Sequence, residues 1–392
     1  MALAEAGIRV DLYDKNDRCM SQASAQNEGK IHLGYVYAND RSLRSARTMV
    51  RGAIAFAPLL RRWLGSGVDR LPVSTTFHYA VHRDSLLTVE EIALHLRQTH
   101  ALAVEESSGR RVDYFGADYR APPERMDERA CRGLFDGDTV AAAFRTEEVG
   151  IDPEALAGLI RARLAADPLI RCRLNAYVHA VCPHNGNGTL DVDVDVSGCR
   201  MREPYDHVVN ALWDGRLAVD GTAGVRHSAP WLFRVKHYLR VTAPAVTAHI
   251  PSTTIVLGPF GDVVAYRGGD LYLSWYPAGL RGSSSDLTPP SWPLVLDQSA
   301  ADDMRCRILE GLRRSIPSLG LLTDEVIECW RVNAGIIFAW GSGDISDPAS
   351  RLHERHVIGP LSRERYHTVD TGKLTTAPYF GQMVACLIRD GR

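Results

Sequence analysis

Three stretches of the sequence hold residue types that can do chemistry when brought together. VDTGKLTTAPYFG places Gly372, Lys373, Leu374, Thr375 and Thr376 in a turn that leads into a helix. A helix N-terminus offers free backbone N–H groups and stabilises negative charge at its tip. Gly372 permits close backbone approach there, and Lys373 adds a full positive charge. An ordinary capped helix is the alternative reading. The polar loop SQASAQNEGKIHLG carries Ser24, Asn27, Glu28, Gly29, Lys30 and His32. It belongs to a connection longer than two neighbouring elements need, and long loops in compact domains are often functional. Asp14 closes the opening strand, where a carboxylate can accept a hydrogen bond from a ribose hydroxyl. His32, Tyr272, Arg331 and His353 are the candidates to line a reaction site, each with a satisfied structural residue as its alternative.

These residues need elements to position them. The opening ALAEAG reads as the last turns of a helix, stopped at Gly7. Ile8, Val10 and Leu12 then alternate with Arg9 and Asp11, as in a strand. A helix so short cannot hold itself together in water, so the opening is expected to be the tail of a longer element. A helix is predicted from Arg41 to Leu64, with Leu43, Ala46, Val50, Ile54, Ala57, Leu60 and Leu64 on one face and a kink at Pro58. Its arginines form either an anion-binding face or a solvated surface. TTFHYAVHR reads as a strand. TVEEIALHLRQTH reads as a helix whose Thr88 and Glu91 are spaced as a capping box. Asp152 and Pro153 open a further helix. TLDVDVDVSG reads as a solvent-facing edge strand rather than a calcium loop. YDHVVNALWDGR has the form of a buried parallel strand that delivers its end to a ligand crevice. From about 230 to 280 short strands joined by Gly-Asp turns form an antiparallel meander. A helix near 300–315 ends before Pro317.

Composition narrows the function classes. The chain has 392 residues, 45% of them hydrophobic and 23% charged, which suits a globular protein of two domains. The formal net charge of −2 supplies no field that would draw nucleic acid or an anionic membrane. No apolar run reaches the roughly 18 residues a membrane helix needs. The eight cysteines are scattered without a CxxC pair, against a zinc site or a disulfide scaffold and in favour of a reduced, cytoplasmic compartment.

The order of the motifs resembles the D-amino-acid oxidase and glycine oxidase class of FAD-dependent oxidoreductases. ALAEAGIRVDLYDKN is similar to the end of that family's first helix and its second strand, with Asp14 as the ribose acid. SQASAQNEGKIHLG is similar to the segment beside the FAD pyrophosphate and flavin. GIDPEALAGLIRARL, YVHAV and YDHVVNALWDG resemble the mid-chain block, and YHTVDTGKLTTAPYFGQMVA resembles the C-terminal block facing the flavin. The family's first strand and GxGxxG turn are not in the sequence. The resemblance implies an α/β fold, a Rossmann-like FAD-binding domain with an inserted antiparallel substrate domain. The FAD domain is expected over 1–65, 145–225 and 320–392, and the substrate domain over 66–144 and 226–319.

The resemblance also implies cofactor contacts at Asp14, Ser24, Asn27, Glu28, Gly29, Lys30, Val178, Ala211, Leu212, Trp213, Gly372, Lys373, Leu374, Thr375 and Thr376. Val178 would pack by the adenine. Asn27 stands where covalent relatives carry a His, and no matching late Cys is evident, so FAD is expected to be non-covalent. The implied reaction is oxidation of a C–N bond, or of a C–O bond, in a small polar substrate by hydride transfer to flavin, with oxygen or another acceptor taking the electrons. The family's Arg-Pro pair that grips a substrate carboxylate is missing, which counts against an amino-acid substrate. The alternatives are a start placed downstream of the true one, or a degenerate member that binds a ligand or partner without catalysis.

Overall fold

In the computed structural model, which describes residues 1–183 and 188–391, the alternating pattern after Gly7 forms the strand Val10–Tyr13. It pairs in parallel with Ile170–Arg173. The helix Pro153–Ala166 leads into that second strand, with the Asp152 carboxylate accepting from the Glu154 amide at 2.9 Å. A second parallel pair joins Val208–Asn210 to Tyr366–Asp370, and Gly359–Arg363 adds an antiparallel partner. The ends of the two pairs are linked by an ion pair, Lys15 to Asp214 at 2.8 Å. Each pair therefore presents its C-terminal end, Asp14 in one case and Ala211–Trp213 in the other, to the same region.

Two local expectations change. The long helix starts at Arg44, not Arg41, and ends at Leu64. The Asp40 carboxylate accepts from the amides of Ser42 (3.0 Å) and Ser45 (2.8 Å), and Leu43 takes a left-handed conformation, so 41–43 form a turn. Pro58 lies inside this helix without ending it. Four of its five arginines are engaged by carboxylates: Arg47 and Arg51 by Glu106, Arg61 by Asp69 and Asp113, Arg62 by Glu5. The strand Leu190–Val196 is the middle of a three-stranded antiparallel sheet rather than an edge. Arg200 on the neighbouring strand donates to Asp193 at 2.9 Å, which makes the aspartate row compatible with a central position.

The meander is present as Thr253–Val256, Gly261–Ala265 and Asp270–Trp275, within a nine-stranded sheet. One strand in from an edge of that sheet runs the twelve-residue strand Trp231–Thr242. Along one edge it pairs with Cys329–Trp340 over its whole length. Its other edge is shared. Leu280–Ser284 pairs with Phe233–Lys236, and Asp270–Trp275 pairs with Leu239–Thr242. The short helix Tyr276–Gly279 bridges the place where those two strands part.

The two faces of the long strand differ. Leu239 and Val241, with Leu271 and Leu273, pack beneath the helix Gln298–Arg313 through Met304, Ile308 and Leu312. Arg234, Lys236, Tyr238 and Arg240 occupy the other face, as period-two alternation requires. That face is covered by the polar loop. Gln26 accepts from the Tyr238 hydroxyl at 2.8 Å. Opposite Lys236 stands Gly335, where a Cβ would lie 2.6 Å from the Gln26 carbonyl oxygen, so only glycine lets the loop settle on the sheet. Charged residues are thereby enclosed: Arg234 is 3%, Lys236 8% and Arg240 7% exposed. Among the described residues no helix is long and apolar enough to cross a membrane.

The capping box forms as expected, with Thr88 accepting from the Glu91 amide at 3.2 Å and the Glu91 carboxylate accepting from the Thr88 amide at 3.0 Å. Thr88→Ala is expected to lower stability by about 1 kcal/mol, read from the urea unfolding midpoint.

Candidate active site

The polar loop and the C-terminal turn meet at the covered face of the large sheet. Thr375, fully buried, accepts from the His32 amide at 2.9 Å and donates to the Lys30 carbonyl at 3.1 Å. Thr376 closes its own turn by donating to the Lys373 carbonyl at 3.0 Å. Both hydroxyls are therefore used within the protein, while the backbone amides that open the helix Ala377–Arg389 keep the N-terminal polarity. Asn27 is also used internally, donating to the carbonyls of Ala23 (2.9 Å) and Ser24 (3.0 Å) and accepting from the Gly29 amide (2.8 Å). Its side chain shapes the loop that carries Glu28.

Charge is concentrated at this junction. Lys373 Nζ lies 3.1 Å from Glu28 Oε1, and His32 Nε2 lies 3.4 Å from the same oxygen. Burial works to raise the Glu28 carboxyl, but Lys373, His32 and Lys236 outweigh it and hold Glu28 well below the usual carboxylate range. Burial, reinforced by Lys373, keeps His32 below the ordinary histidine range. Lys30 reaches Asp262 at 3.2 Å, donates to the Thr254 hydroxyl, and sits 4.3 Å from the centre of the Phe77 ring.

Two further cations have no such partner. Lys236 Nζ lies over aromatic rings, 4.7 Å from the centroid of Tyr276 and 5.8 Å from that of Tyr272, and no carboxylate is within ion-pair distance among the described residues. Nε and Nη1 of Arg234 are buried without a hydrogen-bond partner, as are the hydroxyls of Tyr37 and Tyr272 and Nδ1 of His32. Buried polar atoms are paired in the great majority of cases. Several orphans around one junction, with cations in excess, mark a place where a polar, negatively charged group fits.

The sequence candidates divide accordingly. Glu28, Gly29, Lys30, His32, Tyr272 and Gly372–Thr376 meet here. Asp14 ends the opening strand and accepts from the amide (2.9 Å) and side chain (2.8 Å) of Asn16. Ala211 and Leu212 follow the other parallel strand, and the Trp213 indole donates to the Ile336 carbonyl at 2.8 Å. Val178 lies on the strand Ala176–Pro183, and Ser24 is exposed on the loop. His353 is buried, with Nε2 on the Asp347 carbonyl at 3.2 Å. Burial holds its ring below the ordinary range, and Arg355 and Arg234 add to that shift. Arg331 is not brought in. Half exposed, it pairs with Glu154 at 2.5 Å. Sequence reasoning missed Arg234, Lys236, Tyr276, Asp262 and Tyr37. The one available signal was FRVKHYLRV, which places a cation or a phenol at every second position.

The depressed Glu28 carboxyl has a sign that can be measured. Its contribution to stability is present above the unfolded carboxyl value, about 4.3, and is lost as pH falls through the lower folded value. Glu28→Gln is expected to make the acid-side loss of thermal stability shallower, read as unfolding temperature against pH.

A cleft of about 260 Å³, lined by Met1, Glu5, Arg62, Trp63 and Asp167 among others, shares no residue with this junction. A search of curated protein sequences returned no significant match. Solved structures share the fold at low identity. Glycine oxidase from Geobacillus kaustophilus superposes with a TM-score of 0.68 at 14% identity, over 100% of this chain and 90% of that one. L-proline dehydrogenase from P. horikoshii gives 0.64 at 17%, over 100% and 89%. Iminodiacetate oxidase from Chelativorans sp. BNC1 gives 0.63 at 15%, over 100% and 91%. The family model for FAD dependent oxidoreductases, DAO, matches residues 1–387. With an α/β fold, a charged junction at the covered sheet face and a family match over nearly its whole length, this chain belongs to the DAO family of FAD-dependent oxidoreductases.

Proposed function

We propose that the chain oxidises the C–N bond of a small amine that carries a carboxylate. The observation that carries this reading is the pair of buried, unpaired cations, Arg234 and Lys236, on one face of the long strand. A carboxylate between them would satisfy charges whose burial is otherwise costly. This answers the missing Arg-Pro pair, because the cations come from a different strand. Relatives of the same fold are named for glycine, L-proline and iminodiacetate, all of which carry an amine and a carboxylate.

The orphaned buried atoms and the helix N-terminus at Leu374–Thr376 fit a flavin. We infer non-covalent FAD with Asp14 at the ribose, Val178 at the adenine, Ala211–Trp213 alongside, and Ser24 to Lys30 with Gly372–Thr376 at the pyrophosphate and ring. When bound, FAD supplies the hydride acceptor. Lys373 and the leading amides favour negative charge beside them. Arg234 and Lys236 orient the substrate through its carboxylate, and the aromatic groups Tyr37, Tyr238 and Tyr272 exclude water. The lobe holding the cofactor comprises 1–65, 145–225 and 320–392, apart from Cys329–Trp340, which belongs to the large sheet with 66–144 and 226–319.

A panel of amines with and without a carboxylate, and of matched 2-hydroxy acids, tests the reading by anaerobic bleaching of the flavin. Carboxylate-bearing amines are expected to bleach it. Equal bleaching by amines lacking the carboxylate would overturn the assignment. Arg234→Gln is expected to raise KM for such a substrate about 10-fold or more, as for loss of a charge-assisted hydrogen bond. Asp14→Ala is expected to weaken FAD binding, measured as a raised dissociation constant.

A further inference from the structure

Tyr276 opens the short helix Tyr276–Gly279, in the place where the two strands sharing one edge of Trp231–Thr242 part. That helix is pinned. A Cβ on Gly279 would lie 2.2 Å from the His237 carbonyl oxygen, so backbone meets backbone one residue from Lys236. The Tyr276 ring is consequently held with Lys236 Nζ 4.7 Å from its centroid. Arg234 stands two residues back on the same face, and neither cation has a carboxylate partner among the described residues.

The charged groups that act most strongly on this phenol come from several elements. Lys236 and Arg234 come from the long strand, Lys373 from the turn before the last helix, and Asp262 from Gly261–Ala265. Asp262 is engaged by Lys30 at 3.2 Å. Glu28, which faces Lys236, is engaged by Lys373 at 3.1 Å. Arg355 and Asp344 act on Arg234 with opposite signs. The neighbouring Tyr272 has the opposite balance. Burial raises its phenol far above the ordinary range, and Glu28 and Asp262 add to the rise. For Tyr276 burial also opposes ionisation, but Lys236, Arg234 and Lys373 outweigh it and bring the phenol below the ordinary range.

We propose that Tyr276 is the proton acceptor of the reaction, its phenolate oxygen taking a proton from the substrate ammonium while Lys236 stabilises the phenolate. This rests on the C–N reading above. In the step an N–H bond breaks and the phenol O–H bond forms. The nitrogen keeps the electron pair and becomes a neutral amine. That lone pair would assist loss of a hydride from the adjacent carbon, leaving an iminium, and FAD, when bound, would supply the two-electron acceptor for that hydride. The proton later leaves Tyr276 to solvent, restoring the phenolate.

The test uses FAD-loaded protein labelled at tyrosine Cζ with carbon-13, titrated without substrate. The wild type is expected to show one tyrosine ionising below the usual value of about 10. That signal should vanish in Tyr276→Phe and move to higher pH in Lys236→Gln, which keeps the test decisive if the first variant does not fold. With a substrate from the panel, Tyr276→Phe is expected to lose about 100-fold or more in kcat/KM. The acidic limb of the wild-type pH profile should shift upward in Lys236→Gln. Ordinary titration of every tyrosine would overturn the inference and leave the C–N reading intact. A low-titrating Tyr276 in a protein that bleaches with no amine would instead remove the C–N reading, and the proton-transfer role with it.

Discussion

The contact between Glu28 and Lys373 holds together the parts that matter for chemistry. One partner comes from the polar loop near the start of the chain and the other from the turn before the last helix. A buried ion pair is weak evidence for stability on its own, because desolvation offsets the attraction. Here the Lys373 side chain keeps 32% exposure, so water softens that cost on one side. What the pair supplies is registration. With Thr375 bonded to both His32 and Lys30, it sets the loop against the helix N-terminus, and the loop then covers the cationic face of the sheet.

Covering that face changes the meaning of a strand pattern. In FRVKHYLRV the even positions are polar, the form of a strand with one wet side. Whether the polar side meets water depends on what lies over it, and that comes from residues about 200 positions away, Gln26 above all. Arg234 and Lys236 were therefore unreadable as site residues. Arg331 was readable as a cation in the right region, yet Glu154 on a neighbouring helix engages it. Pairing of this kind leaves no trace in periodicity or spacing.

Local signals were more legible. Asp152 with Pro153, Thr88 with Glu91, the parallel strand before Ala211 and the antiparallel meander all follow from short-range chemistry that the surroundings do not override. The start of the long helix was missed because Leu43 is an apolar residue in a left-handed conformation, chosen by the Asp40 turn rather than by its own preference. The Leu190–Val196 strand reads as an edge in the sequence because its aspartates suggest solvent, whereas Arg200 across the sheet makes them suitable neighbours. The order of motifs carried the family where single motifs could not.

The long strand is paired with Cys329–Trp340 along its whole length, and that partner hands the chain directly to the segment bearing His353 and Arg355. The cations that would grip a carboxylate are thus built into a sheet, while Glu28, Lys373, His353 and Arg355 arrive on connecting segments. Such a division favours evolutionary drift. Substitutions in the connecting segment can reshape the side chain a substrate may carry, with the anchor for its common acidic group left in place. A single scaffold of this kind can be re-tuned among related substrates without being rebuilt.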